Sequence, residues 1–214
     1  MVESGTSLEA KGVAHPLPQA CWSCRGPVAS GAAFCATCRA LQPPAEIDHF
    51  RRFDLSPAFD LQRAEVERRY FALQRQFHPD RFAGKSATER LHSVQHATAL
   101  NQAFGVLADP LLRAEYLLQL SGRPVAGGEA ETVADPELLL EAMALREELA
   151  EAEDASAVAA LLAKTEAMIG EIEVALSGAF ASGDLAAAAG LALRFRYMRK
   201  FVEEATRRRR QIGA

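Results

Sequence analysis

Apolar positions recur at helical spacing through most of the chain. The most regular set follows steps of four, three and four: Val66, Tyr70, Leu73 and Phe77. Such spacing places the four side chains on one side of a helix over about 61–77. Pro79 ends this helix, because proline lacks an N–H and disfavours the helical conformation at the residue before it. A loop and a second helix over about 89–108 follow.

The same spacing predicts several more helices. Short ones are expected over 48–55 and 111–120, and three longer ones over about 136–153, 156–182 and 184–210. Asp135-Pro136, Gly183 and Asp184 supply their start and stop signals. Short connections imply an antiparallel three-helix bundle at the C-terminal end, in a mostly α-helical protein. Expected core residues are Phe50, Phe53, Leu91, Val94, Leu100, Phe104, Leu107, Leu191, Phe195, Met198 and Val202.

Composition excludes some classes of function. The 214 residues carry a net charge of −4, which argues against general nucleic-acid binding. The basic run Arg207–Arg210 ends a predicted helix, where cations offset the helix dipole. No apolar run approaches the roughly 20 residues that a membrane helix needs. The N-terminus lacks the features of a signal or transit peptide. Residues 1–20 mix glycine, serine, proline and charged residues without periodicity, so they are expected to be a disordered lead-in.

All four cysteines lie close together near the N-terminus. Cys21, Cys24, Cys35 and Cys38 form two Cys-x-x-Cys pairs, and Gly26 and Gly31 permit tight turns between them. Four thiolates can hold one tetrahedral zinc ion, and a segment with so few apolar residues would depend on the metal to fold. Two redox dithiols or a bound iron–sulfur cluster are the alternatives. We expect Trp22, between two ligands, to be a packing residue.

Two other features offer polar groups at suggestive spacing. His78, Pro79 and Asp80 begin the loop after the first long helix, and they could be a fragment of a general base. No nucleophile or substrate cleft is evident beside them, so from the residues alone a turn with a cap is the simplest interpretation. His92 and His96 lie four residues apart, a metal-ligand spacing. Without a nearby third ligand we expect them on a surface or interface.

Several motifs together carry a resemblance to a known family. They are Leu73-Gln-Arg-Gln-Phe-His-Pro-Asp-Arg-Phe82, Asn101-Gln-Ala-Phe104, Arg113-Ala-Glu-Tyr-Leu-Leu118 and Leu145-Arg-Glu-Glu-Leu149. In this order they resemble the HscB family, the J-proteins of iron–sulfur cluster assembly, from about Asp48 to about Arg207. The cysteine spacing predicts a metal-binding segment over 21–42. The resemblance implies a J domain with its helical hairpin over 48–122 and a C-terminal three-helix domain over 135–210.

The resemblance also implies two binding surfaces. A DnaK/HscA-type chaperone ATPase would bind the loop and the basic helix through His78, Pro79, Asp80, Arg68, Arg69 and Arg75. An IscU-type cluster scaffold would bind the C-terminal domain through Leu139, Leu140, Met143 and Tyr197. Tyr197 stands where family members often have phenylalanine. The iron–sulfur cluster would reside on the scaffold only. At helical spacing, one of three successive leucines at 138–140 must point away from the core.

The expected function is therefore a co-chaperone, not an enzyme, with no catalytic residues. It would deliver the scaffold to the chaperone and stimulate ATP hydrolysis there. The alternatives are a zinc-binding thiol oxidoreductase and a general J-protein for unfolded clients, although the Gly/Phe-rich linker of the latter is absent. The cysteine-rich start resembles the eukaryotic mitochondrial branch, but without a transit peptide we expect a bacterial cytoplasmic protein. The sequence leaves open whether it forms a homodimer.

Overall fold

The chain folds mostly into α-helices, as expected. The computed structural model describes residues 19–125 and 136–213, and within them none of the helices is both long and apolar enough to cross a bilayer. The two strands pair antiparallel. The elements of the described residues are β1 Gln19–Ala20, β2 Pro27–Val28, α1 His49–Arg52, α2 Arg63–Phe77, α3 Ala87–Ala108, α4 Pro110–Leu120, α5 Pro136–Glu151, α6 Ala155–Ser182 and α7 Leu185–Ile212.

The chain divides into two compact units. The cysteine unit contains residues 19–47 and 74–99, and the bundle unit contains 48–73 and 100–213. The long helices α2 and α3 thus contribute residues to both units. Residues 48–122, predicted as one domain, are divided between the two units. Gln19–Ala20, expected at the end of a disordered lead-in, form β1 instead, and residues 1–18 lie outside the described residues.

In the bundle unit, α7 packs against α4, α5 and α6. Gly183 ends α6 in the left-handed conformation with φ of 75°, and the Asp184 carboxylate accepts the N–H of Ala187 to start α7. These two predicted signals are confirmed, whereas Asp135 lies outside the described residues. Along α7 the buried residues include small ones, which permit close helix packing. They are Ala188, Ala192, Phe195, Met198, Phe201 and Ala205.

An ion pair joins α4 to α7 in the bundle unit. Asp109 caps α4 by accepting the N–H of Leu112 at 3.0 Å, and the Arg199 guanidinium contacts both its oxygens at 2.7 and 2.9 Å. Burial alone would raise the pKa of the Asp109 carboxyl. Hydrogen bonds from Arg199 and the backbone outweigh burial and hold this pKa below its ordinary value of 3.8.

The first half of α3 buries a different face from the one predicted. Leu91 and Val94, expected in the core, have exposed fractions of 55% and 50%. His92, Ser93 and His96 are buried instead. Of the two positions expected for the histidines, the surface is therefore wrong, and they lie at an interface inside the protein. The reason is that this face of α3 packs against the end of the four-cysteine segment. Backbone carbonyls there need hydrogen-bond donors, which imidazole rings supply and leucine cannot.

Candidate functional site

The four cysteine sulfurs converge on one point. All lie within 4.8 Å of one another, and the pairs Cys21–Cys38 and Cys24–Cys35 are each 3.7 Å apart. Four sulfurs around one tetrahedral ion at about 2.3 Å per bond would be separated by about 3.8 Å. A disulfide would need about 2.05 Å. The arrangement therefore fits one four-coordinate metal ion with no position left open.

The thiols differ in how easily they ionise. The N–H of Cys38 lowers the pKa of Cys35 to about 6, against partial opposition from burial. Burial would raise the pKa of Cys21, but backbone N–H groups of Cys24 and Ser23 outweigh it and lower that pKa. The N–H of Gly26 lowers the pKa of Cys24, yet the neighbouring sulfurs and burial raise it to about 12. Repulsion between the closely spaced sulfurs thus disfavours ionisation of all four thiols, and a bound cation would offset this repulsion.

Both cysteine turns share one backbone design. Arg25 and Arg39 follow the second cysteine of each pair, at φ of 63° and 62°, and their N–H groups donate to the carbonyls of Cys21 and Cys35. A left-handed conformation at a residue with a Cβ costs about 1–2 kcal/mol. A Cβ at Gly26 would lie 3.0 Å from Thr37 Oγ1, so a larger residue there would require Thr37 to shift.

The end of this segment is fastened to α3 by side chains. His92 Nδ1 lies 3.0 Å from the carbonyl oxygen of Leu41, and His96 Nε2 lies 3.0 Å from that of Gln42. A carbonyl oxygen only accepts, so these two ring nitrogens carry the hydrogens. Trp22 Nε1 also donates to Leu41 at 2.8 Å and its ring meets His92 edge-on, so Trp22 is a packing residue as expected. Gln42 Nε2 donates to Cys21 Sγ.

Phe77, the last residue of α2, is held from several sides. Its ring stacks on His96 with centroids 4.3 Å apart and on Phe34 with centroids 5.9 Å apart. Its carbonyl accepts the Ser93 hydroxyl at 2.7 Å. The four-cysteine segment and α3 therefore fix the residue that directly precedes His78. No sequence pattern marks Ser93 or Gln42, and the only signal for His96 is its four-residue spacing from His92.

The loop after α2 presents its polar groups to solvent. Pro79–Phe82 form one turn of 3-10 helix, and His78 Nδ1 accepts the N–H of Asp80 at 3.3 Å. The Asp80 side chain is 89% exposed and that of His78 is 48% exposed. Phe82 turns inward and is buried. The loop is thus anchored at both ends while its carboxylate stays available for another molecule.

The three arginines of α2 have different surroundings. Arg68 is exposed and pairs with Glu65. Arg69 also pairs with Glu65, at 2.6 Å, and donates to the carbonyls of Phe53 and Asp54 at 2.7 and 2.6 Å. Arg75 is exposed. Arg69 therefore ties α2 to the end of α1, a structural task that its place in a basic run did not reveal.

Helix α5 exposes an apolar patch in the bundle unit. Leu139, Leu140 and Met143 have exposed fractions of 44%, 67% and 49%, whereas Leu138 is buried at 3%. Successive leucines thus divide between core and solvent. Tyr197, on α7, is half-buried. Three neighbouring exposed apolar side chains on one helix are typical of a surface that binds another protein.

Comparison with known proteins assigns the family. The family model described as the HSCB C-terminal oligomerisation domain matches residues 134–206. The mouse iron-sulfur cluster co-chaperone protein HscB is 35% identical over 188 residues, which cover 86% of this chain and 80% of that protein.

Two solved structures are similar as well. The crystal structure of human co-chaperone protein HscB has a TM-score of 0.84 and 34% identity, and covers 92% of this chain and 100% of that one. The chaperone HscB from Vibrio cholerae has a TM-score of 0.67 and 37% identity, and covers 77% of this chain and 99% of that one. The motifs, the fold and these similarities agree: the chain belongs to the HscB family of co-chaperones.

Proposed function

We propose that this chain is an adaptor that binds an iron–sulfur cluster scaffold of the IscU type, delivers it to a DnaK/HscA-type chaperone and stimulates ATP hydrolysis by that chaperone. The observation that carries the proposal is the loop at His78–Asp80, which is anchored at both ends and exposed in between. Family membership supports it, since the mouse relative is named an iron-sulfur cluster co-chaperone. The hydrolysis takes place in the partner.

The Asp80 carboxylate is the proposed contact with the chaperone. It is exposed in the free chain, so it can lose water and accept hydrogen bonds from a partner arginine on docking. Pro79 and the packing around Phe77 hold the loop in place, which reduces the entropy lost on binding. Loss of one partner from such a buried charged pair typically costs about 2–5 kcal/mol of binding free energy.

The basic helix contributes differently from residue to residue. Arg68 and Arg75 lie seven residues apart on α2 and both are exposed, so they can steer an acidic partner surface. The Arg69 guanidinium donates hydrogen bonds to the carbonyls of Phe53 and Asp54. In this proposal Arg69 is a positioning residue that holds α2, while Arg68 and Arg75 face the chaperone.

Stimulated ATP hydrolysis tests the chaperone contact. Asp80→Asn should keep the fold and abolish stimulation, because an amide cannot supply the charge that the partner arginine requires. Glu153→Gln is the matched control, since Glu153 is also exposed, lies between α5 and α6, outside the loop and α2, and its substitution changes net charge equally. Normal stimulation by Asp80→Asn would refute the proposed role, and equal losses from both variants would reduce it to an effect of net charge.

The patch on α5 is the proposed scaffold contact. Leu139, Leu140 and Met143 would pack against an apolar surface of the scaffold, with Tyr197 contributing from α7. Leu140→Ser should weaken scaffold binding, because it removes an anchor without touching the core. Val174→Ser is its control, since Val174 is 75% exposed on α6 and lies outside the proposed contact. Calorimetric titration that gives Leu140→Ser full affinity would refute this placement.

We infer that the four cysteines hold a structural zinc ion. Four sulfurs within 4.8 Å of one another can fill all four positions of a tetrahedral ion and leave none for a substrate. Backbone N–H groups of Ser23 and Gly26 donate to the sulfurs. Metal analysis should find one zinc per chain. Recovery of iron with labile sulfide would identify a cluster site instead.

A thiol oxidoreductase is the second candidate. A redox pair needs two cysteines of one Cys-x-x-Cys within reach of each other, as in thioredoxin-like motifs. The 3.7 Å contacts instead join Cys21 to Cys38 and Cys24 to Cys35, across the two pairs. Reactive thiols released without unfolding of the segment would favour the redox function over the structural one.

A further inference from the structure

A groove lies between the four-cysteine segment and the loop that follows α2, entirely within the cysteine unit. Its volume is about 570 Å³. Residues 34–39 line one side, and residues from the end of α2 to the start of α3 line the other. The lining residues are Phe34, Cys35, Ala36, Arg39, Gln76, Arg81, Phe82, Lys85 and Glu89. The function proposed above uses none of the basic ones.

The groove is cationic. Arg39, Arg81 and Lys85 bring three positive charges, against a single carboxylate from Glu89. That carboxylate already accepts the Ser86 hydroxyl at 3.2 Å, in a capping box that starts α3. Among the described residues, none of the three cations forms a salt bridge. The groove therefore favours an anionic occupant, and the protein does not supply one from these residues.

The position of the groove indicates which partner would bind there. Arg81 directly follows Asp80, so the groove is continuous with the loop proposed to dock on the chaperone. Phe34 and Phe82 also line the groove, so it offers aromatic side chains beside its cations, which suits an acidic peptide more than a bare phosphate. We propose that the four-cysteine segment is part of the chaperone-binding surface, and that this groove binds an acidic segment of the chaperone ATPase. This inference rests on the proposed function.

Substitution of Arg39 can separate chaperone binding by the groove from chaperone binding by the His78–Asp80 loop alone. It belongs to the four-cysteine segment, is exposed, and reaches the groove from a left-handed backbone position. Arg25 occupies the corresponding position of the other cysteine turn, with the same φ and the same backbone hydrogen bond, but it does not line the groove. Arg25 is therefore a matched control for Arg39 within the same chain.

The test measures affinity of the zinc-loaded full chain for the purified chaperone at several salt concentrations. Arg39→Glu should weaken binding about three- to tenfold at low salt, mainly through slower association, and should flatten the salt dependence. Arg25→Glu should leave affinity unchanged. Arg39→Gly removes the cation while relieving the left-handed backbone, so it should weaken binding without lowering stability. Metal content confirms that each variant keeps its cysteine site.

The outcomes separate this inference from the proposed function. If wild type binds and Arg39→Glu binds equally well, or no worse than Arg25→Glu, the inference is overturned while the proposed function stands. If wild type does not bind the chaperone at all, the proposed function fails and the inference fails with it. A selective loss with Arg39→Glu and Arg39→Gly supports the groove as a contact surface.

Discussion

The Ser93 hydroxyl should stabilise the loop at His78–Asp80 through a single hydrogen bond. Ser93 is fully buried on α3 and donates to the carbonyl of Phe77 at 2.7 Å. Helix ends leave carbonyls without intrahelical partners. Neither Pro79 nor Arg81 supplies a partner here, because Pro79 has no N–H and the N–H of Arg81 donates to the carbonyl of His78. The Phe77 carbonyl therefore depends on Ser93.

Ser93→Ala should cost about 1–3 kcal/mol of unfolding free energy, the usual penalty for a buried acceptor left without its donor. The lost volume is one oxygen atom, so the hydrogen bond dominates. Ser121→Ala is the matched control. Ser121 donates to the carbonyl of Leu117 at 2.9 Å, but that carbonyl also accepts the N–H of Ser121 at 3.0 Å and keeps a partner after substitution. Its cost should stay within about 0.5 kcal/mol.

Equilibrium denaturation gives the free energies, and amide hydrogen exchange locates the effect. Exchange should accelerate over residues 77–83 in Ser93→Ala, and ATPase stimulation should fall because the loop is less ordered before docking. Equal stabilities of the two serine variants would refute the argument. So would a destabilised Ser93→Ala variant with unchanged exchange in the loop.

Two further predictions concern the metal and acid stability. Chelation of the metal should unfold the four-cysteine segment and shift the fluorescence emission of Trp22, the single tryptophan, to longer wavelength. The circular dichroism spectrum should keep most of its helical signal. An unchanged emission spectrum would contradict a folding role for the metal. In the folded protein the pKa of the Asp109 carboxyl lies below its ordinary value of 3.8. The ionised carboxylate therefore stabilises the fold fully above pH 3.8, and this stabilisation is lost as the pH falls through the folded-state pKa. Asp109→Ala should cost about 1–3 kcal/mol at neutral pH and reduce the slope of stability against pH in that acid range, as measured by urea denaturation.

Helices and their ends follow from local rules, which is why the sequence predicted them. Steps of three and four place apolar residues on one face wherever the helix lies, and Gly183 and Asp184 act within one turn of themselves. Phe50 and Phe53 are buried as expected. The cysteine spacing is also local in its effect, since each Cys-x-x-Cys turn places two sulfurs by itself.

The errors arise where burial depends on a distant segment. On α3 the apolar Leu91 and Val94 looked like core residues, yet the four-cysteine segment covers the opposite face. Its carbonyls at Leu41 and Gln42 meet His92 and His96, about fifty residues later in the chain. Periodicity shows which residues share a face, but it does not show which face will find a partner or what donors that partner requires.

In the proposed function, one chain binds two partners at once. The most direct measurement is analytical ultracentrifugation of the zinc-loaded chain with a purified IscU-type scaffold and a DnaK/HscA-type chaperone. We expect a complex that contains all three proteins, that loses only the chaperone with Asp80→Asn and that loses only the scaffold with Leu140→Ser. Competition between the two partners for the chain, so that either one displaces the other, would contradict it.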